Sequence, residues 1–326
     1  RPPRSTLFPY TTLFRSKNTV SYVQKDSEAY APPSSLELLS FDDLIDAFID
    51  RQLSLAKTKA ADLGLALKHF VDAANNGSGD VYCLIEASVK GRGLYCIDFN
   101  KPKARHVSAP HPLYDSSSNS VAATVMFGVG SRFLSISTTH RCANSAESGC
   151  SGTTSACGSS GPFKVSDMAH SVDTFFHDFG VKLHSQNAAL ITVQLHGCGS
   201  SSCPSTGASS DIVARLSAGT ADDLSDTELV NQLKSALQTS VSDLTGASVK
   251  SCSEIGESDR KLCGTTNVTG RVINGELDDP CGTAATSFTG SRFLHIEQNS
   301  DLRTDSGVGD TIKPSLLVDA LNQVLP

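Results

Sequence analysis

The chain has 326 residues, with 27 basic and 34 acidic side chains and a formal charge of −7 at pH 7, which argues against a strongly basic nucleic-acid binder. Apolar residues make up 39% and charged residues 19%, the balance of a globular chain rather than a disordered one, and the length allows a large core. No apolar run reaches the ~18 residues that a membrane-spanning helix needs.

Residues 1–16, RPPRSTLFPYTTLFRS, show neither helix nor strand period. Residues 6–16 resemble the conceptual translation of a sequencing adapter and are set aside as an artefact, with the native N-terminus expected to be missing. Without its three Arg, residues 17–326 carry 24 basic against 34 acidic side chains, a net charge of −10. Residues 17–40 are polar, contain Pro32 and Pro33, and read as a flexible linker. The remainder, 41–326, is expected to form a single α/β domain with a helical lead-in over 41–75.

Phe41, Leu44, Ile45, Phe48 and Ile49 recur at helical spacing, with Ser40 as a cap and Asp42 and Asp43 in the first turn. A second helical stretch is expected near 59–75. Residues 80–99 read as a hairpin turning near Gly91 and Gly93. Strands are expected at 105–110, 131–138, 188–195, 211–217 and 291–298, and helices at 118–128, 166–184, from a capping box at Ser225 and Glu228 to about 241, and at 313–325. Residues 142–162 and 251–281 read as loops. Strands alternating with helices predict a three-layer α/β/α fold around a mainly parallel or mixed sheet.

Ten Cys without repeated CxxC knuckles fit five disulfides and an oxidising, secreted setting better than a zinc knuckle. Cys83 and Cys96 flank the hairpin, so a cross-strand bridge fits; spacing leaves the other pairings open. Asn76 and Asn267 fit the glycosylation pattern.

Ligands of open α/β sheets bind beyond the C-terminal ends of the strands. His111 and Asp115 (PHPLYD) follow the first expected central strand, His140 and Arg141 (TTHR) the next, and His196 (QLHG) the third, while Glu297 (HIEQ) ends a fourth. Two imidazoles and one carboxylate with an open fourth position suit catalytic zinc, and His111, Asp115 and His196 supply that set. Zinc there would activate water and polarise a carbonyl, with Glu297 moving the water's proton, Arg141 binding a carboxylate or oxyanion, and His140 beside it as an expected substrate contact. Each residue also has a plainer role open to it: Asp115 as a helix cap, Arg141 in a loop ion pair, Glu297 in a buried one.

The order His-x3-Asp, strand-terminal His in QLHG, then a late strand-borne Glu resembles the zinc carboxypeptidase superfamily, and within it N-formylglutamate amidohydrolases and poly-γ-glutamate hydrolases. The resemblance covers roughly 105–300. It implies an α/β/α fold and amide hydrolysis, with His111, Asp115 and His196 as ligands, Glu297 as general base, and Arg141 as the substrate-carboxylate Arg. The first pair departs from the carboxypeptidase His-x2-Glu.

A second constellation lies in 166–184. Asp167 and His170 are spaced i,i+3, and His170, His177 and His184 by seven; they can form another metal site, position substrate through His170 or His177, or be core-edge histidines. Residues 265–275 bring Arg271 and Asn274, candidates for reading a carboxylate or peptide end. The sequence contains no GxSxG, HExxH, P-loop or GxGxxG motif. The expected protein is a secreted zinc-dependent hydrolase of an amide bond in a small peptide, γ-glutamyl or N-acyl amino-acid substrate. A disulfide-stapled binding domain without activity, and an esterase or deacetylase using Asp167 and His170, are the alternatives.

Overall fold

A computed structural model describes residues 20–70, 80–199, 201–203, 211–220, 228–242, 246–252, 262–285, 292–304 and 314–326. Asn76 and Ser225 lie outside these residues. The structure is α/β, as expected, around a nine-stranded mixed sheet. Its strands in chain order are β1 (Leu65–Phe70), β2 (Val81–Glu86), β3 (Leu94–Asp98), β4 (Arg105–Ala109), β5 (Phe133–Ile136), β8 (Ile191–Gly197), β9 (Asp211–Ser217), β10 (Ala247–Ser251) and β11 (Phe293–Gln298), and β6 (Thr153–Thr154) and β7 (Gly161–Pro162) make a separate small ribbon. The sheet order is β1-β2-β3-β5-β4-β8-β11-β9-β10. The central run β5-β4-β8-β11 is parallel throughout. The β1–β3 meander, its junction with β5, and β9 beside β11 are antiparallel.

Residue alternation divides the sheet's two faces. On β3, Leu94 and Cys96 join one apolar cluster while Tyr95 and Ile97 join the other. The first cluster packs under α3 (Ser118–Gly128), α5 (Glu228–Ser240) and α8 (Pro314–Val324). The second packs under α1 (Ser35–Ile49), α2 (Leu53–Asp62) and α4 (Phe175–Gln186), with Phe41 and Phe175 stacked at 4.1 Å. Every residue of β3, β4 and β5 is buried, as befits strands covered on both faces. Two short helices complete the fold, α6 (Val268–Ile273) and α7 (Ser300–Arg303). No helix among the described residues is long and apolar enough to cross a membrane.

All ten cysteines pair: Cys83–Cys96, Cys142–Cys157, Cys150–Cys281, Cys198–Cys203 and Cys252–Cys263. The first bridge joins residues directly opposite each other on β2 and β3.

Several boundaries differ from the sequence expectation. The first helix starts at Ser35, not 41, because Ser34 and Glu37 form a reciprocal capping box. Residues 20–34 are therefore not a free linker: Val20, Val23 and Tyr30 are buried, and Val23 exchanges backbone hydrogen bonds with Thr138 and His140. The helix expected near 59–75 ends at Asp62. Gly64, at φ 71°, turns the chain into β1, which pairs with β2. The helix expected from 166 begins only at Phe175, capped by Thr174. Before it, Ser166 accepts from the Ala143 and Asn144 amides and Asp167 accepts from that of Ala169, local bonds that replace a helical ladder. His170 consequently does not share a helix face with His177 and His184.

Candidate metal centre

Because β4, β5, β8 and β11 run in parallel, their C-terminal ends open on one edge of the sheet. His111 and Asp115 lie in the turn after β4, and Asp115 accepts the backbone N–H of Ser118 no more than through its own carbonyl, leaving its carboxylate to the site. His196 is the penultimate residue of β8, and Glu297 sits beside it in register on β11. His111, Asp115 and His196 are all buried. Asp115 Oδ2 lies 3.6 Å from His111 Nδ1 and 3.5 Å from His196 Nδ1. These three residues form a group able to hold a metal ion.

The outer ring nitrogens are already engaged. His111 Nε2 donates to Asp167 Oδ1 at 2.7 Å, and His196 Nε2 donates to Gln194 Oε1 at 2.9 Å. Each bond fixes the ring tautomer and turns Nδ1 toward Asp115. Gln194 Oε1 is held in turn by Asn267 Nδ2, and Asn267 Oδ1 caps α6 at Gly270 N. His111 Nδ1 and Asp115 Oδ2 are buried with no hydrogen-bond partner among the described residues. Two orphaned acceptor atoms facing each other are what a cation would satisfy, so the donor set fits a metal.

The electrostatics agree. Burial disfavours charge on Asp115, yet His111 and His196 hold its carboxyl well below the usual carboxylate range. Burial and the Arg141 charge work against a proton on His111, but Asp167 and Asp115 outweigh them and raise its pKa. A cation would take over that proton's task between the two carboxylates. His196 is driven down to about 4 by burial, which keeps it a neutral ligand. Burial and then Asp115 push Glu297 up to about 8.

Asp167 ties the site together. Its Oδ1 accepts from His111 and, at 2.8 Å, from His170 Nδ1. Its Oδ2 accepts from Arg141 Nε at 2.9 Å and Nη2 at 2.6 Å. Burial opposes its charge, and Arg141 and the histidines keep it ionised far into acid. His170 stacks on Phe163 at 3.8 Å.

A cavity of about 140 Å³ lies over this floor, lined by His111, His196, His295 and Glu297 below and by Arg141, Phe163, His170 and the 153–154 and 262–267 segments around it. Arg141, Glu297 and His170 thus reach the cavity. Three expected substrate contacts do not line it. His140 Nδ1 accepts the Cys142 amide, and its ring packs edge-on against Tyr114. Arg271 is buried and spends its donors on the Thr265, Pro280 and Cys281 carbonyls and on Ser151 Oγ, bracing the loops beside the Cys150–Cys281 bridge. Asn274 donates to the Ala218 and Gly270 carbonyls. In both cases the donors go to loop carbonyls, which a turn-rich segment without a ladder leaves to be satisfied by side chains. His177 and His184 are buried away from the site, bonded to Thr269 and Thr192. Asn267 is buried beside Gln194, so its glycosylation pattern is not a glycan site in this fold.

Sequence reasoning passed over His295, Gln194 and the capping role of Asn267. The first two carried a readable signal: His295 and Glu297, like Gln194 and His196, are two apart on one strand and share a face. The chain matches no protein-family model, and comparisons with curated proteins and with solved structures return no match.

Proposed function

We propose that the protein is a metal-dependent amide hydrolase of an oxidising, extracytoplasmic setting, with zinc at His111, Asp115 and His196. Its substrate is a small peptide, γ-glutamyl compound or N-acyl amino acid bearing a free carboxylate. The observation that carries this reading is the convergence of two backed imidazole nitrogens and a carboxylate oxygen, with the Glu297 carboxylate in register beside His196 on the next strand. Kinship with N-formylglutamate amidohydrolases and zinc carboxypeptidases belongs to the same proposal and rests on the same residues.

When bound, zinc would polarise the scissile carbonyl and acidify water at the open position. The chain's own residues do the rest. Glu297 accepts a proton from water as the water oxygen bonds to the carbonyl carbon. The C–N bond then breaks and Glu297 returns that proton to the departing nitrogen, so amide and water become carboxylate and amine. Its place beside His196 at the strand ends puts its carboxylate within reach of that water. Arg141 has five N–H donors, of which Asp167 engages two, and the rest of its guanidinium is available to the substrate carboxylate at the cavity wall. The small polar cavity suits one residue or acyl group, being well under the roughly 300 Å³ of drug-sized pockets.

The test is elemental analysis of the purified protein and of His196→Ala, with hydrolysis of N-acyl amino acids, γ-glutamyl amides and free-ended peptides. About one zinc per chain, lost in the variant together with hydrolysis, is the expected result. A folded wild type that neither takes up zinc nor cleaves any of these amides overturns the proposal.

A further inference from the structure

His295 is an imidazole of the cavity wall with no role in the hydrolysis steps. It is 3% exposed, and it faces the site from β11 on the same side as Glu297. Its two nitrogens have unlike surroundings. Nδ1 is buried with no hydrogen-bond partner among the described residues. Nε2 lies 3.6 Å from Glu297 Oε1. A proton on Nδ1 would be an unsatisfied buried donor, the more costly arrangement, so the ring proton belongs on Nε2 beside the carboxylate.

That separation is too long for a direct hydrogen bond and suits a shared third atom between the two groups. The ring has no freedom to close the gap. It lies against His196 at 4.5 Å between centroids, and a Cβ added to Gly264, at φ 67°, would stand only 3.0 Å from its Cγ. An immobilised donor on the cavity wall, held just out of hydrogen-bond reach of a carboxylate, is placed for a ligand atom to complete it.

We propose that His295 is a catalytic residue of the hydrolase read above: its Nε2–H donates to the oxygen of the water whose proton Glu297 accepts. The water then gives one proton to Glu297 and accepts one hydrogen bond from His295, which leaves a lone pair directed at the carbonyl carbon. His295 exchanges no proton in this step. The bonds made and broken are those of the hydrolysis, and the imidazole holds the oxygen in place through the addition. This inference rests on the hydrolase reading.

The experiment compares wild type, His295→Leu and His295→Gln, each metal-loaded, for kcat and KM on the best amide substrate. Metal content and the affinity for a phosphonate analogue, whose oxygen stands where the water oxygen adds, are measured beside them. The expected result is a 10–100-fold fall in kcat for His295→Leu with KM nearly unchanged, and phosphonate binding weakened by a similar factor. Binding of the product carboxylate and the metal content should stay level, and His295→Gln, which keeps an N–H donor, should recover part of both losses. An unchanged kcat in His295→Leu overturns the role while leaving the hydrolase standing. Loss of metal overturns it too, because His295 would then be serving the metal group. A wild type inert toward every amide removes the hydrolase and this role together.

Discussion

At the residue scale, the two metal-facing histidines are oriented by different partners, and this difference is testable. His111 leans on the buried carboxylate of Asp167, which also receives Arg141 and His170, whereas His196 leans on the neutral amide of Gln194. A carboxylate behind an imidazole raises its basicity and fixes its tautomer more firmly than an amide does. Asp167→Asn is expected to weaken zinc binding by about 10–100-fold, read by competition with a chromophoric chelator. The same change strands the Arg141 charge, so the variant should also lose about 3–5 kcal/mol of stability in urea unfolding. Gln194→Leu removes a neutral partner only and should weaken zinc binding less than Asp167→Asn. Equal effects of the two variants would mean that ring orientation, not the carboxylate's charge, is what Asp167 supplies.

At the element scale, helix ends and helix contacts depend on single residues. Ser34 caps α1 through both halves of a capping box, so Ser34→Ala should cost about 1 kcal/mol in urea unfolding. Gly128 ends α3 where it crosses α8, and a Cβ there would meet Val318 Cγ1 at 2.5 Å. Gly128→Ala should destabilise by about 1–3 kcal/mol despite alanine's better helix propensity, and Val318→Ala in the same chain should recover part of that loss. An additive double variant would show that the two helices do not meet tightly at this point. The same contrast between local pattern and tertiary contact explains what the sequence disclosed. The hairpin, the strands at β4, β8, β9 and β11, the helix α3 and the strand-end residues His111, His196 and Glu297 were legible because apolar period and strand ends are local signals. The strand β1 was not, because Leu65–Phe70 reads as helix until β2 pairs with it. The missing first half of the 166–184 helix was hidden too, since Asp167 is drawn away by His111 and Arg141 from distant segments. Arg271 and Asn274 looked like ligand readers because nothing local reveals that loop carbonyls will consume their donors.

At the scale of the whole molecule, histidines placed in the core add to the acid sensitivity of the groups at the site. His106 bonds Thr192 and Ser135, His184 bonds Thr192, and His177 bonds Thr269. Burial lowers their pKa values, to about 3 for His106, about 4 for His177 and about 3 for His184, against about 6.5 when unfolded. Above pH 6.5 all three are neutral in both states and their contribution to stability is fully present. As pH falls below 6.5 the unfolded chain binds protons that the folded chain refuses, so stability drops by about 1.4 kcal/mol per pH unit for each imidazole until the folded values are reached. Asp178 works in the opposite sense. Burial, then Asp42 and Asp173, raise it to about 7, so between its unfolded value near 4 and pH 7 the folded state keeps a proton that the unfolded state releases. Acidification across that window therefore gains stability from Asp178 while losing it from these three histidines, and among these four groups three against one leave a net loss. His177→Gln should flatten the decline of unfolding free energy between pH 6.5 and 4 by about one proton's slope, whereas Asp178→Asn should steepen it by about the same amount between pH 7 and 4. Urea titrations at half-unit intervals would measure both slopes against wild type, and metal release, common to all three proteins, cancels in the differences. Parallel curves for His177→Gln and wild type would show that His177 takes up its proton in the folded core after all.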